Sequence, residues 1–149
     1  MEVGTLNTMF KAYAPAEMAE RIAAYGIRKV QLDMAFNGRG YAVEDLTPEF
    51  CGEVRQAFAD AGIEIVAVSG HQKIAFPDRE AREAARDSFL QKLVLPARFG
   101  CRVIVSETGS ANPENAWIDH PNNYLPEVWD AVVETMRQIC ARAAEEGVT

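Results

Sequence analysis

The sequence has no surplus of basic residues, few cysteines and no long apolar run, and each shortage excludes a class of protein. Its 15 lysines and arginines are outnumbered by 22 aspartates and glutamates, which gives a net charge of −7. Nucleic acids and anionic membrane surfaces attract clustered positive charge, so neither is expected as the main partner. No apolar stretch approaches the roughly 18 residues that span a bilayer, and no signal-peptide pattern opens the sequence. We therefore expect a cytoplasmic protein.

The cysteines indicate neither a disulfide framework nor a thiolate metal site. Cys51, Cys101 and Cys140 are odd in number, far apart and without a CxxC pair. Each occupies an apolar position of a predicted helix or strand, where a free thiol behaves as a small hydrophobic residue. The sequence predicts three buried free thiols.

The composition is that of one folded domain. The chain has 149 residues, of which 48% are apolar and 25% are charged. This is enough for a real hydrophobic core, and no stretch has the composition of a linker or a disordered segment. We expect residues 1–149 to form a single domain.

Glycines that end a predicted helix are followed at once by an apolar, β-branched run. This is the pattern of a helix that turns into a buried parallel strand. It occurs at Gly26, Gly62 and Gly100. Gly147-Val148-Thr149 opens the same pattern again without its strand. We therefore expect the chain to be part of a larger βα-repeat protein.

Strands and helices alternate in the prediction. The apolar runs predict strands at 3–7, 29–33, 64–69 and 102–106. Helices are predicted to begin at Pro15, after the N-caps Thr47 and Asp78, and at Pro126. The third helix would run to about residue 99, with an irregularity near Pro96, which lacks a backbone donor.

Alternating elements of this length predict an α/β protein with a parallel sheet and right-handed crossovers. A doubly wound sheet often has a phosphate-binding glycine fingerprint after its first strand, but this sequence reads Gly4-Thr5-Leu6-Asn7-Thr8 there. A TIM barrel has polar side chains at the carboxyl ends of its strands, and this chain has polar residues after each of its predicted strands. We therefore favour a parallel (βα)4 half of a TIM-type barrel over a doubly wound sheet.

Polar residues follow every predicted strand. They are Asn7, then Gln31 and Asp33, then Ser69-Gly70-His71, then Glu107-Thr108-Gly109-Ser110. Singly, each has a local explanation: Asp33 could bond turn amides, His71 could be an ordinary loop residue and Glu107 could pair with an arginine. Together, polar groups at every strand end of a parallel sheet are better explained by a shared pocket.

Three segments carry a family resemblance. They are Val68-Ser69-Gly70-His71, the run from Val103 to Ser110 with Asn112-Pro113-Glu114-Asn115 behind it, and the closing Ala144 to Thr149. They resemble the sugar phosphate isomerase/epimerase family of xylose isomerase-like TIM barrels, whose fold is shared by the endonuclease IV group. The resemblance covers the whole chain but only the first four of eight βα units, the N-terminal half of the barrel. It implies proton transfer next to a carbonyl of a sugar or sugar phosphate.

The resemblance also implies a divalent metal (Mn, Mg, Co or Zn), whose main ligands come with the catalytic glutamates from the fifth to eighth strands. This chain would then supply substrate contacts and lack activity alone. His71 would bond a sugar oxygen, Glu107 would bind a hydroxyl or orient His71, and Asn7 and Asp33 would line the floor. Gln31 stands where the family often has a glutamate, which weakens a catalytic role for it.

Other loop residues have less specific patterns. Phe10, Phe36 and Trp117 would form an apolar wall against a sugar or anchor the loops on the helices. Asp119 and His120 are sequence neighbours whose side chains point apart in most conformations, so a metal site there is disfavoured.

Two further functions are open. An endonuclease IV-like phosphodiesterase would have a basic face and a histidine after the fourth strand, whereas this chain has a net charge of −7 and Glu107. A non-catalytic half-barrel assembly module would pair with a second copy to cover its edge strands. We expect the chain to form a homo-oligomer, a dimer or larger.

Overall fold

A computed structural model describes residues 3–149 and divides them into two compact units. The first contains the chain up to Ser69 together with Val94–Val105, and the second contains Gly70–Leu93 and Ser106–Thr149. Each unit is therefore assembled from two separate stretches of chain. The single domain over residues 1–149 stays a prediction, and its residues 1 and 2 lie outside the described part.

The four predicted strands alternate with helices, and two short strands and one short helix are found in addition. The strands are β1 (Gly4–Leu6), β2 (Lys29–Leu32), β3 (Ala35–Phe36), β4 (Arg39–Gly40), β5 (Glu64–Ser69) and β6 (Ile104–Val105). The helices are α1 (Pro15–Ala24), α2 (Pro48–Asp60), α3 (Arg79–Gln91), α4 (Leu95–Phe99) and α5 (Pro126–Glu145). No helix among residues 3–149 has the length and apolar character needed to cross a membrane.

The first unit contains a four-stranded parallel sheet in the order β1, β2, β5, β6. The register pairs Thr5 with Val30, Val30 with Ile65, and Ser69 with Val105. Parallel strands that follow chain order, with helices between them, form half of a TIM barrel, which confirms the predicted fold class. The hairpin of β3 and β4 is a separate two-stranded sheet.

Three strands are shorter than predicted: β2 ends at Leu32, one residue early, and the first and fourth predicted strands differ more. The first ends at Leu6 because Asn7 begins a 3₁₀ helix, Asn7–Phe10. The fourth is reduced to Ile104–Val105, which pairs only with the last two residues of β5, Val68 and Ser69.

The predicted helix starts are confirmed. The hydroxyl of Thr47 accepts a hydrogen bond from Phe50 N at 3.3 Å, and the carboxylate of Asp78 accepts one from Ala81 N at 2.8 Å. These caps satisfy backbone donors that the first helical turn leaves without partners. Pro15 and Pro126 open α1 and α5, where the missing proline N–H removes no helical bond.

The third predicted helix is interrupted, as expected. α3 ends at Gln91, a 3₁₀ turn covers Lys92–Val94, and α4 then begins. The change comes before Pro96 because this residue lies in the first turn of α4, where proline fits. Gly100 ends α4 with a left-handed φ of 77°.

The cysteines only partly follow the prediction. All three are free thiols: Cys51 is buried, Cys101 is half-buried and Cys140 is exposed. The prediction is wrong for Cys140 because α5 buries Ile139 and Ala143, and the next residue after Ile139 is turned about 100° around the helix.

Candidate functional site

Two of the predicted site residues form a direct pair. β5 and β6 are in register up to Ser69 and Val105, and His71 and Glu107 each stand two residues further along the chain. In the second unit, His71 Nδ1 lies 2.5 Å from Glu107 Oε2. The two side chains keep 42% and 28% of their surface exposed, so a ligand can reach them.

The bond defines what the imidazole can offer to a ligand. With the Nδ1 proton donated to the carboxylate, a neutral His71 presents the Nε2 lone pair as an acceptor, and a protonated His71 presents an Nε2–H donor. A carboxylate has about four acceptor positions, so Glu107 can accept from a ligand hydroxyl as well. The pair therefore suits a ligand whose hydroxyls both donate and accept.

Lys92 holds the backbone on both sides of His71, a role that no sequence motif indicates. Its Nζ donates to Gly70 O and His71 O, both at 2.8 Å, and to Gln72 Oε1 at 3.2 Å. The Ser88 hydroxyl donates to the same Gln72 oxygen at 3.1 Å. The available signal was a lysine between the apolar positions Phe89 and Leu93, which is weak because lysine is common near helix ends.

The Glu-Thr-Gly-Ser segment is fastened to the residues after His71. Thr108 O accepts hydrogen bonds from Ile74 N and Ala75 N, both at 2.9 Å. Gly109 has φ of +69°, and a Cβ there would lie 2.9 Å from Lys73 Cγ. Glycine is required here both for its backbone conformation and for the close approach of Lys73.

The Asn-Pro segment builds the loop that follows. Asn112 Oδ1 accepts hydrogen bonds from Glu114 N at 2.9 Å and from Asn115 N at 3.0 Å, which is the pattern of an Asx-turn. Lys73 Nζ donates to Asn112 O at 2.6 Å. The segment that carried part of the family resemblance therefore has a structural role in the second unit.

Asn7 and Asp33 form a second cluster, in the first unit. Asn7 Nδ2 donates to Asp33 O at 3.1 Å, and Asn7 Oδ1 accepts from Asp33 N at 2.5 Å. Asn7 is fully buried, so its amide ties the end of β1 to the end of β2. Asp33 Oδ1 accepts from Met34 N at 3.0 Å, which is the local turn role. Substrate contact by these two residues stays a prediction, as does a pocket shared by all four.

Gln31 also bonds within the first unit. Its Nε2 donates to the hydroxyl of the buried Ser69 at 3.0 Å. The amide thus links β2 to β5, and a neutral side chain is suited to this partly buried position.

Of the three loop aromatics, Phe36 has the anchoring role. Phe36 is fully buried and packs edge-on against Tyr41 and Phe50, with ring centroids 5.9 Å apart in each case. It is therefore an anchor rather than part of an exposed wall. Phe10 meets Tyr25 edge-on at 6.2 Å, and Trp117 is 78% exposed.

The described residues do not compose a metal centre. Among residues 3–149, no three His, Cys, Asp or Glu side chains are grouped as a metal ion would require. His71 and Glu107 give two donor groups, whereas a catalytic metal takes about three protein ligands. Asp119 and His120 are both engaged in their loop: Asp119 Oδ1 accepts from Asn123 Nδ2 at 2.8 Å, and His120 Nδ1 accepts from Asn122 N at 3.2 Å.

Comparison with known proteins gives a family and a set of structural relatives. A sequence model of the family described as xylose isomerase-like TIM barrel matches residues 19–149. No curated protein sequence matches the chain significantly.

The solved structures similar to this chain include two sugar epimerases. A D-psicose 3-epimerase crystallised in the presence of D-fructose is 15% identical, with a TM-score of 0.72 over 100% of this chain and 50% of that one. A 3-keto-D-glucoside 4-epimerase from E. coli is 20% identical, with a TM-score of 0.70 over 100% of this chain and 54% of that one.

A third similar structure contains a metal. It is a xylose isomerase-like TIM barrel protein from Mycobacterium smegmatis in complex with magnesium, 17% identical, with a TM-score of 0.65 over 99% of this chain and 53% of that one. The chain spans about half the length of each of these three proteins. At these identities the similarity establishes the fold.

Proposed function

Because the chain belongs to the xylose isomerase-like TIM barrel family, we propose that it supplies substrate contacts for a metal-dependent sugar or sugar-phosphate isomerase or epimerase. Its fold matches about half of each of two sugar epimerases. The observation that carries the proposal is the bond between His71 and Glu107, two residues after paired strands. The reaction would move a proton at the carbon next to a sugar carbonyl.

His71 and Glu107 would act on the sugar by hydrogen bonding. Glu107 holds the imidazole through Nδ1, which leaves Nε2 to bond a sugar oxygen. The remaining acceptor positions of Glu107 would receive a sugar hydroxyl. Charge-assisted bonds of this kind are about twice as strong as neutral ones, and they fix a polyol in one orientation.

A bound divalent metal would stabilise the negative charge that develops when a proton leaves the carbon beside a carbonyl. The described residues do not make a site for it, so its ligands would have to come from other residues. We therefore expect the 149-residue chain to bind a sugar weakly and to show no isomerase or epimerase activity by itself.

A sugar titration followed by NMR tests this proposal on the 149-residue chain. D-Fructose and D-tagatose are suitable probes. D-Fructose accompanies the D-psicose 3-epimerase described above, and D-tagatose accompanies a second D-psicose 3-epimerase of similar fold, from Clostridium cellulolyticum H10 (15% identical, TM-score 0.66). Added ketohexose should shift the ring resonances of His71, and His71→Ala should remove the binding. Glu107→Gln should weaken binding by about tenfold, the effect of one lost charged hydrogen bond.

Glu114→Gln provides the matched control for this titration. Glu114 lies in the same loop, is exposed, and contributes a backbone N–H rather than its carboxylate to the turn. This variant should bind like the unmodified chain. Absence of any shift at His71 with either ketohexose, or equal binding by His71→Ala, would contradict the proposal.

A second function, self-association as a half-barrel module, is supported by the sheet. Among the described residues, β1 and β6 are the outer strands and have one neighbouring strand each. An outer strand presents unpaired N–H and C=O groups that can pair with another chain. We propose that two copies associate through these edges.

We also propose a cytoplasmic location for the protein. It is supported by the cysteines, which form no disulfide.

A further inference from the structure

Lys92 uses its whole hydrogen-bonding capacity on one short segment. An ammonium group has three N–H donors. They meet Gly70 O, His71 O and Gln72 Oε1 at 2.8, 2.8 and 3.2 Å. A neutral amine could donate only two such bonds, so the complete set needs the charged form.

The two carbonyls that Lys92 binds stand on either side of the His71 Cα. The carbonyl of Gly70 belongs to the peptide before it, and the carbonyl of His71 belongs to the peptide after it. Fixing both restricts φ and ψ of His71, and with them the direction in which the imidazole leaves the backbone. A bond to only one carbonyl would leave one of these rotations free.

The third acceptor, Gln72 Oε1, is fixed from the helix as well. Ser88 Oγ donates to it at 3.1 Å; Ser88 lies in the last turn of α3, and Lys92, four residues later, is the C-cap residue of that helix. Residues at this spacing lie on the same face of a helix. The end of α3 therefore presents two donors together to the segment that carries His71.

The charge of Lys92 also acts on the His71–Glu107 pair. Burial lowers the pKa of Lys92, and the smaller effect of Glu107 raises it. Burying an ammonium group is unfavourable unless its donors are satisfied. Three acceptors and a carboxylate charge offset that cost at this position.

We propose that Lys92 is a positioning residue for sugar binding, which sets the backbone of His71 so that its ring meets Glu107 and presents Nε2 to the ligand. This role rests on the proposed function for its purpose. The geometric part, the control of His71 by Lys92, is independent of any sugar and is tested without one.

Lys73 offers a matched control in the same unit. Its Nζ also donates to a backbone carbonyl, that of Asn112, at 2.6 Å. It stabilises the loop after Gly109 rather than the peptides around His71. A purely structural contribution of a lysine–carbonyl contact should therefore be similar for Lys73 and Lys92.

The experiment observes the His71 ring proton by ¹⁵N-edited NMR of the 149-residue chain. In the unmodified protein, the bond to Glu107 should protect the Nδ1–H from exchange and give a downfield signal. Lys92→Met removes charge and donors at similar length, and it should broaden this signal beyond detection or speed its exchange by about tenfold or more. Lys92→Arg, which keeps the charge and several donors, should restore it.

Lys73→Met should leave the His71 signal in place. An unchanged signal in Lys92→Met, or an equal loss in Lys73→Met, would overturn the positioning role. If Lys92→Met does not fold, the same proposal is tested on the unmodified protein by NMR of the Lys92 ammonium protons. We expect their signal to be protected from solvent exchange. Free exchange of these protons would overturn the proposal. The ketohexose titration tests sugar binding separately. Failure of the positioning role can therefore be distinguished from failure of the proposed function.

Discussion

His71 Nδ1 and Glu107 Oε2 are 2.5 Å apart although 36 residues separate them in the chain. The bond joins positions just beyond a register pair of the parallel sheet, Ser69 with Val105. Both side chains remain partly exposed, at 42% and 28%. Because exposed pairs of this kind contribute little to folding, we expect the contact to add little stability, and its role in ligand binding stays a proposal.

A double-mutant cycle on this pair tests that interpretation. The variants His71→Ala, Glu107→Ala and the double variant would be unfolded in urea. We expect a coupling of about 0.2–1 kcal/mol, because water screens both groups. The helical pair Arg79–Glu83, 2.7 Å apart and exposed, is the reference and should give a similar value. A coupling several times larger than that of the reference pair would mean that His71 and Glu107 serve the fold.

Gly109→Ala should destabilise the chain by about 1–3 kcal/mol. The position has φ of +69°, and the added methyl group would lie 2.9 Å from Lys73 Cγ. Gly52→Ala is the control, because it lies within α2 and a Cβ there meets no atom within 4 Å. That variant should gain about 0.4–1 kcal/mol. Chemical denaturation measures both, and equal effects of the two changes would contradict the structure.

Asn7→Asp should be strongly destabilising although it hardly changes the volume. The carboxylate would lose the Nδ2 donor to Asp33 O and would be fully buried. We expect a loss of about 2 kcal/mol or more in the free energy of unfolding. Asn37→Asp, at an exposed position that aspartate tolerates with φ of 54°, should stay within about 0.5 kcal/mol. A small effect at Asn7 would argue that its amide is free for a ligand.

Local patterns predicted the elements and their starts, while the roles of the polar residues depended on tertiary contacts. Thr47 and Asp78 could be assigned as caps because a cap acts on the next turn of its own chain. Asn7 bonds a residue 26 positions away, and Lys92 bonds carbonyls 21 and 22 positions before it. Sequence spacing does not indicate such long-range contacts. The sequence therefore predicts a ligand role for Asn7 and no role for Lys92.

The cysteines should differ in reactivity in the native state. Cys140 is exposed and should be alkylated by iodoacetamide within minutes, whereas Cys51 is fully buried. Burial also raises the pKa of Cys51, so at a given pH it holds less of the reactive thiolate. The raised pKa also makes the free energy of unfolding depend on pH. The contribution of Cys51 to that free energy is fully present below the normal thiol pKa and is lost as the pH rises through the pKa of the folded state.

Mass spectrometry of the alkylated peptides gives the order of reaction. Cys51 should react only when urea unfolds the protein, and Cys140→Ser should remove the fast phase. Fast native labelling of Cys51 would show that α2 opens readily.

The last prediction concerns association through the outer strands. Among the described residues, β1 and β6 each have one neighbouring strand, and Val3 and Val103 beside them are 63% and 37% exposed. Pairing of two copies would satisfy the outer backbone groups and cover these side chains. We expect a dimer or larger oligomer at micromolar concentration, measured by light scattering beside the intact mass of the chain. A charged residue facing the edge opposes such pairing, so Val103→Lys should shift the equilibrium toward monomer. A monodisperse monomer with the mass of 149 residues would contradict self-association and leave sugar binding to be judged by the titration alone.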